Sequence, residues 1–146
     1  DTQKIIFSQK QISIPIDLRP MYKISLILMM LKVNGYSKKL SYLQLQYLNW
    51  LIKHDEEVKD INFSQDELPF DSIRIDPFLN IAIEYCIGEK LIEISKNGKF
   101  ELTVKAETFI NKIIKEKVLA DEYKLLKNIG SRRITDNKIK NMIEGY

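Results

Sequence analysis

The sequence predicts a mostly helical α+β fold in which a helix, a tight hairpin and a second helix follow one another in the second half of the chain. Asp76 before Pro77 is a helix start, because the carboxylate caps the first turn and proline needs no amide partner there. Asn97-Gly98 is a strong hairpin signal, because both residues tolerate positive φ. The return strand alternates between apolar and polar residues, with the apolar ones at Phe100, Leu102 and Val104.

This order of elements is typical of the second half of a winged helix-turn-helix domain. The sequence therefore predicts an α+β winged helix-turn-helix with additional N-terminal strands and C-terminal helices. At 146 residues the chain has the length of one domain. We divide it into an N-terminal arm (1–18), a helical core (19–53), an acidic insertion (54–75), a helix-wing-helix module (76–118) and a C-terminal helical extension (119–146).

The front half is predicted to hold a core helix and a capped second helix. Met21 to Val33 is apolar nearly all round, which indicates a buried helix, and Gly35 follows it in the C-terminal capping position. Ser41 followed by Gln44 is a capping box, so the next helix is expected from Tyr42 to Lys53. The arm before them predicts two short strands or an extended segment, at Lys4 to Phe7 and Gln11 to Ile16.

The remaining elements are predicted from helical spacing. A short helix is expected in the acidic insertion, around Glu56 to Asn62. In the helix before the hairpin, Pro77 to Glu89, one side is formed by Ile81, Tyr85 and Gly88, and a wide apolar face is completed by Phe78, Ala82, Ile83 and Cys86. After Lys117 the chain is predicted to stay helical as far as a stop at Gly130. Thr135 is expected to cap a last short helix with one apolar face, formed by Ile139, Met142 and Ile143.

Charge is distributed unevenly along the chain, although the net charge is only +3. Residues 1–53 carry eight Lys/Arg against two Asp/Glu (+6), residues 54–93 three against eleven (−8), and residues 111–146 nine against five (+4). Two interpretations stay open. Either these charges keep the surface solvated, or the basic ends contact an acidic partner while the acidic middle contacts a basic one.

The residues needed for most catalytic and metal sites are scarce. The chain has one histidine, His54, and one cysteine, Cys86, whereas a structural zinc site needs about four such ligands. The five glycines form neither a phosphate loop nor a dinucleotide fingerprint. A carboxylate-rich metal site in the acidic insertion stays formally open. We therefore predict no enzyme, no cofactor and no catalytic or metal residues, and an enzyme of unrecognised type is the third alternative.

Compartment and membrane contact follow from two further patterns. No apolar run has the length of a transmembrane helix, and the first residues, DTQKIIFS, do not show the pattern of a signal peptide. A lone cysteine cannot form an internal disulfide, which fits a reducing compartment. We expect a cytoplasmic protein without a membrane partner.

The helix before the wing lacks the side chains that read DNA. In winged helices this helix enters the major groove, and Arg, Lys, Asn or Gln contact base edges and phosphates. Here it bears Glu84 and Glu89, and Asn80 is its one good base-reading residue. Carboxylates are repelled by phosphates, so DNA binding is disfavoured. The cations nearby are Lys96 and Lys99 in the wing, while Arg132 and Arg133 lie in a basic tail that is either solvated or docks to an acidic partner.

Four segments between Arg19 and Ile114 resemble one family, the small middle components of bacterial three-component ABC-ATPase systems associated with defence against phage. They are RPMYKISLILMML, LQYLNWLIK, IRIDPFLNIAIEY and LIEISKNGKFELTVKAETFI. The most specific piece is DPFLNIAIEY followed by the NGK hairpin. The LT-x-K pattern of generic winged helices continues with glycine, and Ala106 replaces that glycine here. The resemblance implies a non-catalytic winged-helix adaptor that links an SMC-like or RecF-like ATPase to an effector.

The sequence thus favours a protein-protein adaptor over a DNA-binding transcriptional regulator, which is the alternative. The residues predicted to bind a partner or nucleic acid are Glu84, Glu89, Lys96, Lys99, Arg132 and Arg133. A homodimer through the terminal helices stays open, because winged helices with such extensions often pair in this way.

Overall fold

The computed structural model describes residues 20–61, 63, 70, 72–130 and 134–143, and in these ranges the fold is mostly helical α+β with a three-stranded antiparallel sheet. The elements in chain order are α1 (Pro20–Asn34), β1 (Lys39–Leu40), α2 (Tyr42–Lys53), α3 (Asp55–Val58), α4 (Pro77–Gly88), β2 (Ile92–Ile94), β3 (Phe100–Leu102), α5 (Val104–Lys115), α6 (Ala120–Ile129) and α7 (Asp136–Lys140). The strands predicted in the N-terminal arm lie outside the described residues.

The central element is α1, as its composition predicts. Every residue from Tyr22 to Leu31 is buried, and α4, α5, α6 and the sheet all pack around this helix. A helix without a polar side must be covered on all sides to keep its apolar surface from water. The other helices are therefore arranged around α1.

The second helix begins at the predicted capping box. The Ser41 hydroxyl accepts from the Gln44 amide, and the Gln44 side chain accepts from the Ser41 amide. Both residues also hold the end of the chain: Ser41 donates to Asp136, and the Gln44 side chain donates to the carbonyl of Ile134 at 2.7 Å. This local signal thus fixes the start of α2 and the position of α7 together.

The sheet has the strand order β1-β3-β2. Lys39 and Leu40 pair with Glu101 and Phe100, while β2 pairs with β3 through Ile92–Leu102 and Ile94–Phe100. Ile92 and Leu102 are buried, so the sheet closes one end of the core with these side chains.

The hairpin between β2 and β3 differs from the predicted two-residue turn. Among its residues only Gly98 has positive φ, at 77°, whereas the predicted turn needs Asn97 there as well. The Gly98 amide donates to the Ser95 carbonyl at 3.0 Å, and the Ser95 amide donates to Lys99 at 2.7 Å. The connection is therefore a longer loop with a left-handed glycine near its end. In this loop Asn97 does not adopt the less favourable left-handed conformation.

The predicted continuous helix after Lys117 is also wrong. Lys117 and Leu119 have φ values of 59° and 61°, and they separate α5 from α6. The break lets both helices pack on α1, which one straight helix could not do. No glycine or proline marks this turn, so sequence pattern did not predict it.

Three smaller expectations need correction. Gly35 follows α1 as predicted, but its φ is not left-handed; a Cβ there would lie 2.5 Å from the Leu31 carbonyl oxygen, so close packing requires the glycine. The helix in the acidic insertion is α3, shorter than expected. The last helix, α7, is capped by Thr135 as predicted but ends before Met142, whose carbonyl accepts from the Ile73 amide at 2.9 Å.

Candidate functional site

The helix before the hairpin, α4, is fixed at its N-terminus by the predicted cap. The Asp76 carboxylate accepts from the Phe78 amide at 2.9 Å, and Pro77 occupies the first turn. The Asp76 amide donates to the Gln46 side chain at 2.9 Å, which joins this cap to α2. The direction of α4 is therefore set by α2 as well as by its own capping residue.

A buried ion pair reinforces this attachment. The Lys23 ammonium lies 2.9 Å from the Asp76 carboxylate and 2.7 Å from the Asn49 side-chain oxygen, and the Asn49 amide donates to the same carboxylate. Burial disfavours the charge on Asp76, but the bonds from Lys23, Asn49 and the Phe78 amide outweigh it and hold the pKa of the Asp76 carboxyl below its usual range. One carboxylate thus connects α1, α2 and α4.

The inner face of α4 packs into the core. Its buried residues are Leu79, Ala82, Ile83 and Cys86. Burial raises the pKa of the Cys86 thiol to about 12, so the thiolate is suppressed at neutral pH. Cys86 is therefore placed as a small core residue, as its apolar surroundings predict, and its environment does not activate it as a nucleophile.

The outer face of α4 is also apolar, and it is exposed. Phe78, Ile81 and Tyr85 leave 46%, 63% and 51% of their surface in solvent. With Gly88 they lie along one side of the helix, and we call these four residues the α4 stripe. Phe78 was predicted to share a wide apolar face with Ala82, Ile83 and Cys86, but these three residues are buried whereas Phe78 lies in the exposed stripe. Exposed apolar groups gathered on one helix are typical of an interaction surface.

Two of the predicted site residues border this stripe. Helical geometry places Glu84 on one side of it and Glu89 on the other. Both side chains are exposed, and neither carboxylate has an ion-pair partner among the residues that the structure describes. The α4 surface is consequently apolar along its centre with a carboxylate at each edge, and the Lys105 ammonium donates to the Glu89 backbone carbonyl at 3.2 Å beside the second of them.

The remaining predicted site residues do not belong to α4. Lys96 and Lys99 are exposed in the loop between β2 and β3, without an ion pair in the described ranges. Arg132 and Arg133 lie outside the described residues. The structure therefore brings Glu84 and Glu89 together with the stripe, and it places Lys96 and Lys99 in the loop between β2 and β3.

Asn80, the candidate base-reading residue, is engaged within the fold. Its side-chain oxygen accepts from the Tyr42 hydroxyl at 2.6 Å and from the Gln46 amide at 2.9 Å. Bidentate recognition of adenine uses both the oxygen and the nitrogen of an asparagine amide. Asn80 would have to abandon both of these hydrogen bonds to read a base in that way.

The single histidine has a structural position. His54 ends α2, its Nδ1 atom donates to the Trp50 carbonyl at 2.9 Å, and its ring lies 4.1 Å from the Trp50 ring, centroid to centroid. A proton on Nδ1 is required by this bond, because a carbonyl only accepts. His54 therefore completes the end of α2, as expected for a histidine at a helix C-terminus.

Metal and small-molecule sites are not prominent. In the ranges that the structure describes, no three His, Cys, Asp or Glu residues form a group that could hold a metal ion. A cleft of about 1000 Å³ lies between the start of α1, the end of α2 and α6. Its lining carries charged side chains of both signs; Lys59 pairs with Glu56 at 3.1 Å, and the Tyr22 hydroxyl donates to Glu122 at 2.9 Å. Such a lining does not concentrate charge of one sign, as phosphate or metal binding requires.

Comparison with protein-family models, with curated proteins and with solved structures found no match to this chain. None of the helices in the described ranges is both long and apolar enough to cross a bilayer.

The sequence predicted Glu84 and Glu89 as site residues and placed Ile81, Tyr85 and Gly88 together on one side of the helix, but it did not predict that this side is exposed. A helix with so much apolar surface is ordinarily buried. One signal was present: α4 carries more apolar residues than one packed face can hold, so part of that surface has to remain outside the core.

Proposed function

We propose that this chain is a winged helix-turn-helix adaptor that has no catalytic role and binds another protein through α4. Apart from the short helix α3, the element order helix, strand, helix, helix, strand, strand supports the winged-helix assignment, as does the strand order β1-β3-β2. In this proposal α4 occupies the position of the recognition helix and the β2–β3 hairpin is the wing. The short helix α3 is an addition within the acidic segment.

The observation that carries the proposal is the chemistry of the exposed side of α4. A helix that enters a DNA groove needs cations or amides against phosphates and bases. The α4 helix, Pro77–Gly88, contains no Lys or Arg, and its outer side presents apolar rings and carboxylates instead. Protein interfaces bury such apolar and aromatic groups at their centre.

The sequence resemblance supports a more specific setting for this adaptor. We propose a bacterial multi-component system, linked to defence against phage, in which the protein partner is an SMC-like or RecF-like ABC ATPase. The Asp76–Pro77 cap and the hairpin, the most specific parts of that resemblance, flank the α4 surface that we assign to binding.

The test compares Ile81→Asp with wild-type protein in a copurification from cells that encode the full gene neighbourhood. Ile81 is 63% exposed, so the variant should remain folded, with an unchanged circular dichroism spectrum and a similar melting temperature. We expect an ATPase to copurify with the wild type and to be lost with Ile81→Asp. Asp121→Lys, an exposed change on α6, is the control and should keep the partner.

The same assay tests Arg132 and Arg133 through the double change Arg132→Glu/Arg133→Glu. Loss of the ATPase would add the basic tail to the contact surface. Retention of the ATPase by Ile81→Asp would contradict the role proposed for α4.

The second candidate is a DNA-binding transcriptional regulator, and the exposed, unpaired position of Lys96 and Lys99 within the described chain favours it. A regulator of this kind should bind duplex DNA with an affinity that falls steeply with salt, and Lys96→Glu or Lys99→Glu should weaken binding and flatten the salt dependence. We expect instead weak binding that these changes barely alter. A steep salt slope that depends on both lysines would favour the regulator over the adaptor.

A further inference from the structure

We infer that the α4 stripe binds a basic amphipathic helix of the partner protein, in which apolar side chains are bordered by Lys or Arg. This inference rests on the proposed function for the use of α4 as a contact surface. It adds the chemistry of the segment that covers the stripe.

The apolar part of the stripe has the spacing on which helices pack. Phe78, Ile81 and Tyr85 are separated by three and four residues, so their side chains form one ridge along the helix. Their exposed fractions of about half or more show that the fold itself does not cover this ridge within the described chain. A partner helix with apolar residues at the same spacing would bury the ridge in its groove.

Gly88 continues the ridge and gives room for close approach. A Cβ at this position would meet nothing within 4 Å, and its φ is not left-handed, so neither packing nor backbone conformation requires glycine here. The left-handed residue that ends α4 is Lys90, with φ 58°, so Gly88 does not serve as the cap either. Glycine in a helix is less stable than alanine, and a partner backbone lying against α4 is a use for it.

The borders of the stripe determine the charge of the partner. Glu84 and Glu89 lie on opposite sides of the ridge and have no ion pair in the part of the chain that is described. A partner with carboxylates at its own borders would be repelled on both sides, whereas Lys or Arg would pair with both. The same charges disfavour a second copy of α4 as the occupant, because every charge that α4 would bring to such a contact is a carboxylate.

The experiment uses two synthetic helical peptides with identical leucine positions at a spacing of three and four residues. One carries Lys at the positions bordering the leucines, and the other carries Glu. Binding to the full chain is measured by fluorescence anisotropy at two salt concentrations. We expect the Lys-bordered peptide to bind about tenfold more tightly, since several partly exposed pairs change from attraction to repulsion.

Three variants locate the effect. Glu84→Lys/Glu89→Lys should reverse the preference, and Ile81→Asp should abolish binding of both peptides. Asp55→Lys/Asp121→Lys makes the same change in net charge on exposed residues of α3 and α6, so it should leave the preference intact. Circular dichroism verifies that each variant is folded.

Equal affinity for the two peptides, binding of neither, or a preference that Asp55→Lys/Asp121→Lys also reverses would overturn the inference. Failure of this inference can be distinguished from failure of the proposed adaptor function. An ATPase that is lost with Ile81→Asp but retained by Glu84→Lys/Glu89→Lys would leave α4 as the contact surface and refute a basic border. An ATPase that Ile81→Asp retains would refute the adaptor role of α4 itself.

Discussion

Asp76 connects more of the structure than any local pattern indicates. Its carboxylate caps α4, pairs with the buried Lys23 and accepts from Asn49, while its backbone amide donates to Gln46. A buried ion pair is not by itself strongly stabilising, because both charges lose their hydration. Removing one partner is costly, however, because the other charge is then buried without compensation.

We therefore expect Asp76→Ala to lower the free energy of unfolding by about 3–5 kcal/mol, because the variant loses the helix cap and removes the carboxylate that faces the buried Lys23 ammonium. Urea denaturation followed by circular dichroism measures the change. Glu89→Ala, an exposed carboxylate at the other end of α4, should stay within about 0.5 kcal/mol of the wild type. Similar losses in both variants would contradict a structural role for the ion pair.

The lowered pKa of Asp76 also predicts how stability depends on pH. The unfolded chain binds the proton near the ordinary value of 3.8, and the folded chain binds it only at lower pH. The stabilisation is therefore complete above about pH 5 and is lost as the pH falls through the folded-state pKa. Glu107 adds to the same trend, because hydrogen bonds from Lys32 and Lys38 lower the pKa of its carboxyl.

In Asp76→Asn the free energy of unfolding should fall less steeply between about pH 5 and pH 2 than in the wild type. Denaturant titrations at several pH values would measure both slopes. Parallel slopes would show that Asp76 keeps its ordinary pKa in the folded protein.

At the residue scale, sequence predicted the contacts that are close along the chain. Ser41 with Gln44, Asp76 with Pro77, and Thr135 were identified as helix starts, and the structure confirms each cap. The Lys23–Asp76 pair joins positions 53 residues apart, and no periodicity or composition connects them. Long-range polar pairs of this kind become visible only when the packing of α1 against α4 is known.

At the scale of elements, three glycines occupy three different environments. Gly98 has a left-handed φ of 77° with open space around it, Gly35 is surrounded by backbone, and Gly88 has neither constraint. Of these three cases, only the left-handed glycine of a turn can be predicted from a dipeptide such as Asn97-Gly98.

We expect Gly98→Ala to destabilise the protein by about 1 kcal/mol, because alanine is strained in the left-handed region. Gly88→Ala should be neutral or stabilising by up to about 1 kcal/mol, because alanine is the better helix former and has room. Thermal unfolding of the two variants would provide the comparison. A loss of stability in Gly88→Ala would mean that the fold itself needs this glycine.

The limits of element prediction have physical causes. Helix starts carry capping side chains, so α2, α4 and α7 could be placed closely. The turn between α5 and α6 uses Lys117 and Leu119 in left-handed conformations, which neither residue type predicts. Periodicity placed Ile81, Tyr85 and Gly88 on one side of α4, but it could not predict which side is exposed, because both sides are apolar.

At the scale of the whole molecule, α4 is held at its N-terminus by polar bonds and along its inner face by the core. Cys86 lies in that inner face and is fully buried, so its thiol becomes accessible only when α4 separates from the core. The single cysteine thus reports the opening of this interface without any engineered label.

We expect Cys86 to react with a thiol reagent at pH 8 at least about 100-fold more slowly in the native protein than in urea, since burial raises its pKa and blocks access. Asp76→Ala should accelerate labelling strongly, whereas Ile81→Asp should not, because Ile81 lies on the exposed side. The rate of labelling is measured from the absorbance of the thiolate that the reagent releases when it reacts with Cys86. Rapid labelling of the native wild type would show that α4 opens readily.

The core helix α1 also affects how the fold selects one packing arrangement of its helices. Because α1 is apolar on nearly every side, rotation of the helix about its own axis would change the buried apolar area very little. Lys23 near one end and Asn34 at the other remove that freedom: the first must face Asp76, and the second donates to the carbonyls of Leu126 and Gly130. These two polar side chains therefore fix the rotation of α1 about its axis. That rotation in turn determines the direction in which the outer side of α4 faces.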